Sequence, residues 1–377
     1  MLTRLWRSLR AVFLCFVLVC IASCSSSNDP VVTVPPTLPP SQPIPDVTVP
    51  PPTLPPSQPI PVGPGSVAVP LTVRAFNLGG SQLKLLSVFA SIASGNETNL
   101  LLDTGSSGLR VLASEVGTAG LVRTGRNETV RFGDGTELVG ELATAPTSFS
   151  TIATEEPVLV HLVDLVQCAA GIPDCPGSNL FGANGPFQGI AGASINFRTS
   201  VDDLFSPFTR LAGNLDSGYV IETGGFNAQE GRLTLGLTDQ TTTGFTRVPL
   251  AQRGTFADGT PFWDDDAFEP AYTISGTAID GDIGNTLLDC GSSDVFLASG
   301  SLDPTFSAAG DPVETGRTFR SLLPNVFDLL FTTGTTSGLD RVFVDPVNGE
   351  QILGMPFFFR FDTLFDVDGG QIGVRAR

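Results

Sequence analysis

Leu100-Leu-Leu-Asp103-Thr-Gly-Ser-Ser107 returns later in the chain as Thr286-Leu-Leu-Asp289-Cys-Gly-Ser-Ser293. In each copy a short apolar run ends in an aspartate, then one small residue, a glycine and two serines. Such a run, bounded by turn residues, reads as a strand. Glycine permits a sharp turn at its end. The hydroxyls that follow can orient a carboxylate or bind neighbouring amides. A single Asp-Thr-Gly also occurs in ordinary strand-end turns. Two copies behind similar strands point to a duplicated element, with Asp103 and Asp289 as the candidate chemical groups.

The rest of the sequence from Leu71 onward has the same character. Short apolar or alternating runs separated by Gly, Asn, Asp and Pro predict an all-β protein. Examples are Leu83–Ile92, Asn99–Leu102, Glu128–Phe132, Tyr219–Glu222, Arg232–Leu237, Ala271–Ile274 and Thr286–Leu288. Val201–Leu211 and Thr318–Phe331 are the best helix candidates. Of 377 residues only 15% are charged, with 42 Gly and 30 Pro, a composition suited to short strands and many turns. The net charge of −18 repels nucleic-acid phosphates and anionic lipid headgroups, so nucleic acid is not an expected partner. It suits a soluble monomer.

The N-terminus reads as an address. Arg4, Arg7 and Arg10 precede an apolar run, Ala11 to Ala22, too short for a comfortable membrane span. Ile21-Ala22-Ser23-Cys24 resembles the bacterial lipobox, which implies a signal peptide over 1–23 and lipidation of Cys24. Acyl chains on that cysteine would hold the protein at a membrane. Ser25, by resemblance to enterobacterial lipoproteins, points to the outer membrane. Residues 24–70 then form a lipidated proline-rich stalk, in which Thr37 to Pro45 recurs intact as Thr53 to Pro61. As polyproline II it would reach on the order of 120 Å.

Export places the remaining cysteines in an oxidising compartment, and Cys168 and Cys175 bracket a turn-rich loop that a disulfide would close. A zinc site is not expected, because His161 is the only histidine and no second cysteine pair exists. His161, within Val158–Val163, reads as a strand residue. Asp264–Asp266 and the group Asp362, Asp366, Asp368 lack calcium-loop spacing, and a turn accounts for the latter. Cys290 is left over, inside the second aspartate motif.

Here the chain resembles the pepsin-like aspartic peptidases. Asp103-Thr-Gly-Ser-Ser-Gly-Leu109 is similar to that family's first active-site motif and Asp289-Cys-Gly-Ser-Ser293 to its second. Val130-Arg-Phe-Gly-Asp-Gly-Thr136 with Gly140 resembles the flap hairpin, and Gln188–Ala193 the segment completing the first active-site loop. Gly231–Asp239 with Thr243–Pro249 resembles the lobe-connecting region. Ile352-Leu-Gly-Met-Pro-Phe357, with Phe365–Asp368 and Ile372-Gly373, resembles the C-terminal signature. The blocks keep family order over 71–377. The resemblance implies a bilobal acid-protease fold, with an N-terminal lobe over 71–240, a C-terminal lobe over 241–377 and a cleft between them. It implies catalytic Asp103 and Asp289, loop support from Thr104, Gly105, Ser106, Cys290, Gly291 and Ser292, and a flap at Phe132, Gly133, Asp134 and Gly135. The substrate would be an extended peptide or protein, with no cofactor. Two close carboxylates would share a proton, one activating water and the other polarising the scissile carbonyl.

Three departures stand out. Cys290 occupies a Thr or Ser position, so Thr104 is expected to face a weaker partner across the loops. Phe132 replaces the flap tyrosine, and Arg110 the tryptophan that often accompanies it. No lysine-rich propeptide precedes the domain. The alternative to an envelope endopeptidase is therefore a pepsin-fold protein that binds peptide or protein partners without cutting them; an adhesion or structural role has only the stalk behind it.

Overall fold

A computed structural model of the chain describes residues 64–78, 81–182, 185–199, 201, 203–279, 285–298, 312–334, 339–345 and 351–377. The expected signal segment, Cys24 and the expected stalk up to residue 63 lie outside the described residues. Those described belong to one compact unit, Thr53–Arg377. The first strand, Val67–Leu78, begins inside the segment read as stalk and takes in Pro70. Pro70 lies opposite Arg232, whereas register with the strand on the other side starts only at Leu71. A residue without an N–H is thus placed where the strand has a single neighbour.

The protein is all-β, and the α-helices Gly177–Leu180, Asp239–Thr242 and Met355–Phe358 are single turns. Thr98–Asp103 is buried along its whole length, as an apolar strand with neighbours on both sides should be. It runs parallel to Gly189–Ala193, which is antiparallel to Ser107–Leu112, which is parallel to Val158–Cys168. The second copy repeats this pairing. Thr286–Leu288 runs parallel to Gln351–Leu353, antiparallel in turn to Val295–Ala298, which is parallel to Val342–Asp345. In both units a strand from far along the chain inserts between the two arms of the aspartate loop. The first unit belongs to a 15-stranded sheet and the second forms a four-stranded sheet of its own. One apolar cluster contains residues of both, among them Leu100, Leu102, Leu109, Leu288, Val295 and Leu353.

Both helix expectations fail. Thr318–Phe331 is a hairpin of Thr318–Leu323 and Phe327–Thr332. Phe319, Ser321, Phe327, Leu329 and Phe331 face inward in alternation, the strand period of two. Its turn contains Pro324 and Asn325, the latter at φ +64°, which ends any helix. Among the described residues of Val201–Leu211 only Pro207–Arg210 coils, as a 3-10 turn capped by the Ser206 side chain. Pro207 disfavours helical backbone at the residue before it.

A buried ion cluster fixes the strands nearest the C-terminus. Asp362, fully buried, accepts from Arg375 Nη2 and Arg377 Nε, each at 2.6 Å. Glu222 pairs with Arg232, 2.6 Å from its Nε, and Arg375 Nη2 lies 3.5 Å from Glu222. Asp362 is therefore an ion-pair centre, not a turn residue; the turn belongs to Asp366, whose side chain accepts from the Gly369 amide at 2.7 Å. Asp362→Ala takes the buried carboxylate from half-buried Arg375 and Arg377 and should cost about 3–5 kcal/mol in urea unfolding. Arg123→Ala, which breaks the exposed pair with Glu141, should leave the unfolding midpoint in place.

Candidate active site

Each aspartate sits where its strand gives way to the turn. Asp103 is 6% exposed; its Oδ1 accepts the Gly105 amide at 2.8 Å and its Oδ2 the Ser106 hydroxyl at 2.5 Å. Asp289 Oδ1 accepts the Gly291 amide at 2.7 Å. The serines break the symmetry. Ser292 donates to the Asp294 carbonyl at 3.3 Å rather than to Asp289, so Asp103 has the richer set of donors.

The two loops meet face to face. Thr104 Oγ1 donates to the Leu288 carbonyl at 2.7 Å and accepts the Cys290 amide at 2.9 Å. Cys290 Sγ donates to the Leu102 carbonyl at 3.2 Å. The expectation of a weakened partner for Thr104 is thereby corrected. Its two bonds go to backbone groups, which a thiol at 290 leaves untouched, and only the bond to Leu102 is a sulfur one. Cys290 is fully buried; burial first, then the Asp289 charge, pushes its thiol well above the ordinary range, so it stays protonated.

The glycines set how near the carboxylates come. A methyl on Gly105 would lie 2.6 Å from Asp289 Cγ, and one on Gly291 would lie 2.5 Å from Asp103 Oδ1. Each glycine thus makes room for the carboxylate of the opposite loop. Part of Asp289 remains open to solvent, but its carboxyl is enclosed by the facing loop. Burial first, then the charge of Asp103 and a hydrogen bond with it, raises its pKa well above the usual carboxylate range. The Gly291 amide and the Arg198 charge act in the opposite sense.

Arg198 has no counterpart in the sequence reading. Its backbone amide donates to Ser107 Oγ at 3.1 Å, and its side chain binds buried Asp265 at 2.8 and 3.0 Å. Asp265 also accepts the Ser194 hydroxyl at 2.6 Å. The acidic run is thus occupied by arginines, with Asp264 paired to Arg253 at 2.7 Å and Asp266 to Arg198 at 3.2 Å. An arginine at 198 carries no local signal, because its partner lies far along the chain.

The expected flap residues form the turn between Val122–Arg131 and Thr136–Ala145. Phe132 N–H donates to the Thr136 carbonyl at 2.9 Å and Gly135 N–H to the Phe132 carbonyl at 3.0 Å. Asp134 Oδ1 accepts the Thr136 amide at 2.8 Å, while Gly133 is exposed. Gly135 takes φ +84°, a conformation only glycine adopts freely. The Cys168–Cys175 disulfide is present, and its loop packs on this turn. Ala169 N–H donates to the Gly135 carbonyl at 2.8 Å, and a methyl on Gly135 would lie 2.4 Å from Ile172 Cδ1. His161 is buried in the strand Val158–Cys168, its pKa lowered to about 4 by burial first and then by the Arg110 charge.

No protein-family model matches the chain, and no curated protein matches it. Among the described residues no helix is long and apolar enough to cross a membrane.

The raised pKa of Asp289 has a consequence for stability. Below the ordinary carboxyl pKa both folded and unfolded chains hold this proton. As pH rises past it only the folded chain keeps the proton, so this group makes folding less favourable until the folded carboxyl titrates. Asp289→Asn removes the effect. Its urea midpoint should match the wild type near pH 3 and exceed it at pH 7; parallel curves would contradict the assignment.

Proposed function

We propose that the chain is an aspartic endopeptidase of pepsin-like, bilobal architecture, held at the bacterial envelope through lipidated Cys24. The observation that carries this reading is the reciprocal seating of Asp103 and Asp289, each against the glycine of the other's motif. The matching strand order around the two loops supports duplicated lobes with a cleft where the loops meet. The reading of the N-terminus rests on the sequence alone.

The chemistry follows from the unequal surroundings. Asp103, with donors from Gly105 and Ser106, is the carboxylate, and Asp289 holds the shared proton. Their titration belongs to the pair. A water between them gives a proton to Asp103 while its oxygen adds to the scissile carbonyl carbon. The Asp289 proton passes to the carbonyl oxygen, giving a tetrahedral diol. When it collapses, the proton on Asp103 goes to the amide nitrogen, the C–N bond breaks and a diol hydroxyl returns its proton to Asp289. The hairpin at Phe132–Gly135 covers an extended peptide and excludes bulk water.

The test is cleavage of an unfolded protein by the full chain between about pH 3 and pH 7. Activity should disappear in Asp103→Asn and Asp289→Asn and be blocked by a statine-type transition-state mimic. No cleavage by folded protein at any pH would sink the peptidase and leave peptide binding as the function of the cleft. Gly291→Ala should fold yet lose roughly 100-fold in kcat/KM, because its methyl displaces Asp103.

A further inference from the structure

Among the described residues, Arg110 is the one arginine or lysine buried outright, at 1% exposed. It lies on Ser107–Leu112, the strand leaving the first aspartate loop. Its Nη1 donates back to the carbonyl oxygens of Ser107 at 2.5 Å and Gly108 at 3.4 Å. Its guanidinium carbon stands 5.9 Å from the ring centre of Phe132, in the turn of the hairpin. One side chain therefore touches both the aspartate loop and the segment proposed to close over it.

The charges around Arg110 are few. Burial brings its pKa down to about 10, so it stays cationic throughout the acidic and neutral range; Asp103 first and Glu128 second favour that charge. Glu128 belongs to the hairpin strand Val122–Arg131. His161 stands opposite Arg110 on the parallel neighbour and is neutral above its lowered pKa of about 4. The other neighbour, Gly189–Ala193, has no titratable side chain. Opening the hairpin would withdraw Glu128 and the Phe132 face from a cation that has little water to replace them. Neutralising Asp103 would remove the other counter-charge.

We propose that Arg110 is a positioning residue whose buried guanidinium ties the hairpin turn to the Asp103 loop, so that the charge on Asp103 and the closed hairpin stabilise each other. Its catalytic consequence rests on the aspartic-peptidase reading; the coupling itself does not. Binding energy exchanged between two sites in this way is reciprocal.

A double-mutant cycle between Asp103→Asn and Arg110→Met tests it in the full chain, with folding checked by circular dichroism. The readout is hydrogen exchange of the Phe132 and Gly135 amides, both bonded within the turn. Arg110→Met should speed their exchange about tenfold, the loss of one charge-assisted contact, and Arg110→Lys less. Asp103→Asn should speed it in the presence of Arg110 and have little further effect in Arg110→Met. In cleavage assays Arg110→Met should move the acid limb of the kcat/KM profile to higher pH, with Arg110→Lys restoring it. If Arg110→Met does not fold, the cycle is run with Phe132→Leu, which should shrink the effect of Asp103→Asn on Gly135. Strictly additive effects, or unchanged exchange in a folded Arg110→Met, would overturn the proposal. A wild type that cuts nothing removes the peptidase reading and leaves the exchange cycle to decide this one.

Discussion

Everything at the centre of this protein depends on Thr104 reaching across to the other aspartate loop. Its hydroxyl holds the Leu288 carbonyl and the Cys290 amide together, and Cys290 answers with a bond to the Leu102 carbonyl. These bonds are buried, where an unmet backbone group is costly and a satisfied one fixes geometry. With the loops clasped, two carboxylates that would repel in water are held against one another's glycines. A proton shared between them is the cheapest way to relieve that repulsion.

The surroundings of the two aspartates are unequal. Ser106 turns to Asp103, whereas Ser292 turns away from Asp289. The charge of Asp103 favours the cationic form of Arg110, and the charge of Arg198 opposes the rise in the Asp289 pKa. Arg198 is itself steadied by buried Asp265, and its backbone amide binds the first aspartate loop through Ser107. A duplicated motif thereby holds its two aspartates in unequal hydrogen-bond surroundings.

The strands were the most legible part of the sequence. Thr98–Asp103 and Thr286–Leu288 announce themselves as apolar runs closed by turn residues, and Leu83–Ile92 is a largely apolar run that forms a strand. Thr318–Phe331 misled because its hydrophobic spacing fits a helix as well as two strands, and only the Pro324-Asn325 turn decides between them. Cys290 misled in another way. A weak thiol suggested a weak clasp, but the clasp runs mainly from a threonine to backbone groups, whose chemistry is the same for every residue type. The place of Arg198 was not legible, since its partner Asp265 lies 67 residues on, and that of Asp362 depends on the register that sets it opposite Arg375.

By itself the sequence determined that the chain is all-β, that an Asp-x-Gly-Ser-Ser element occurs twice, and that a disulfide loop follows the hairpin. Those are local matters of period, turn chemistry and spacing. Only the tertiary structure decided that the two elements face each other, that each glycine receives the other's carboxylate, and that burial and its neighbour's charge lift the pKa of Asp289. Proximity of charges and exclusion of water depend on distance in space, and the order of residues along a chain does not record it.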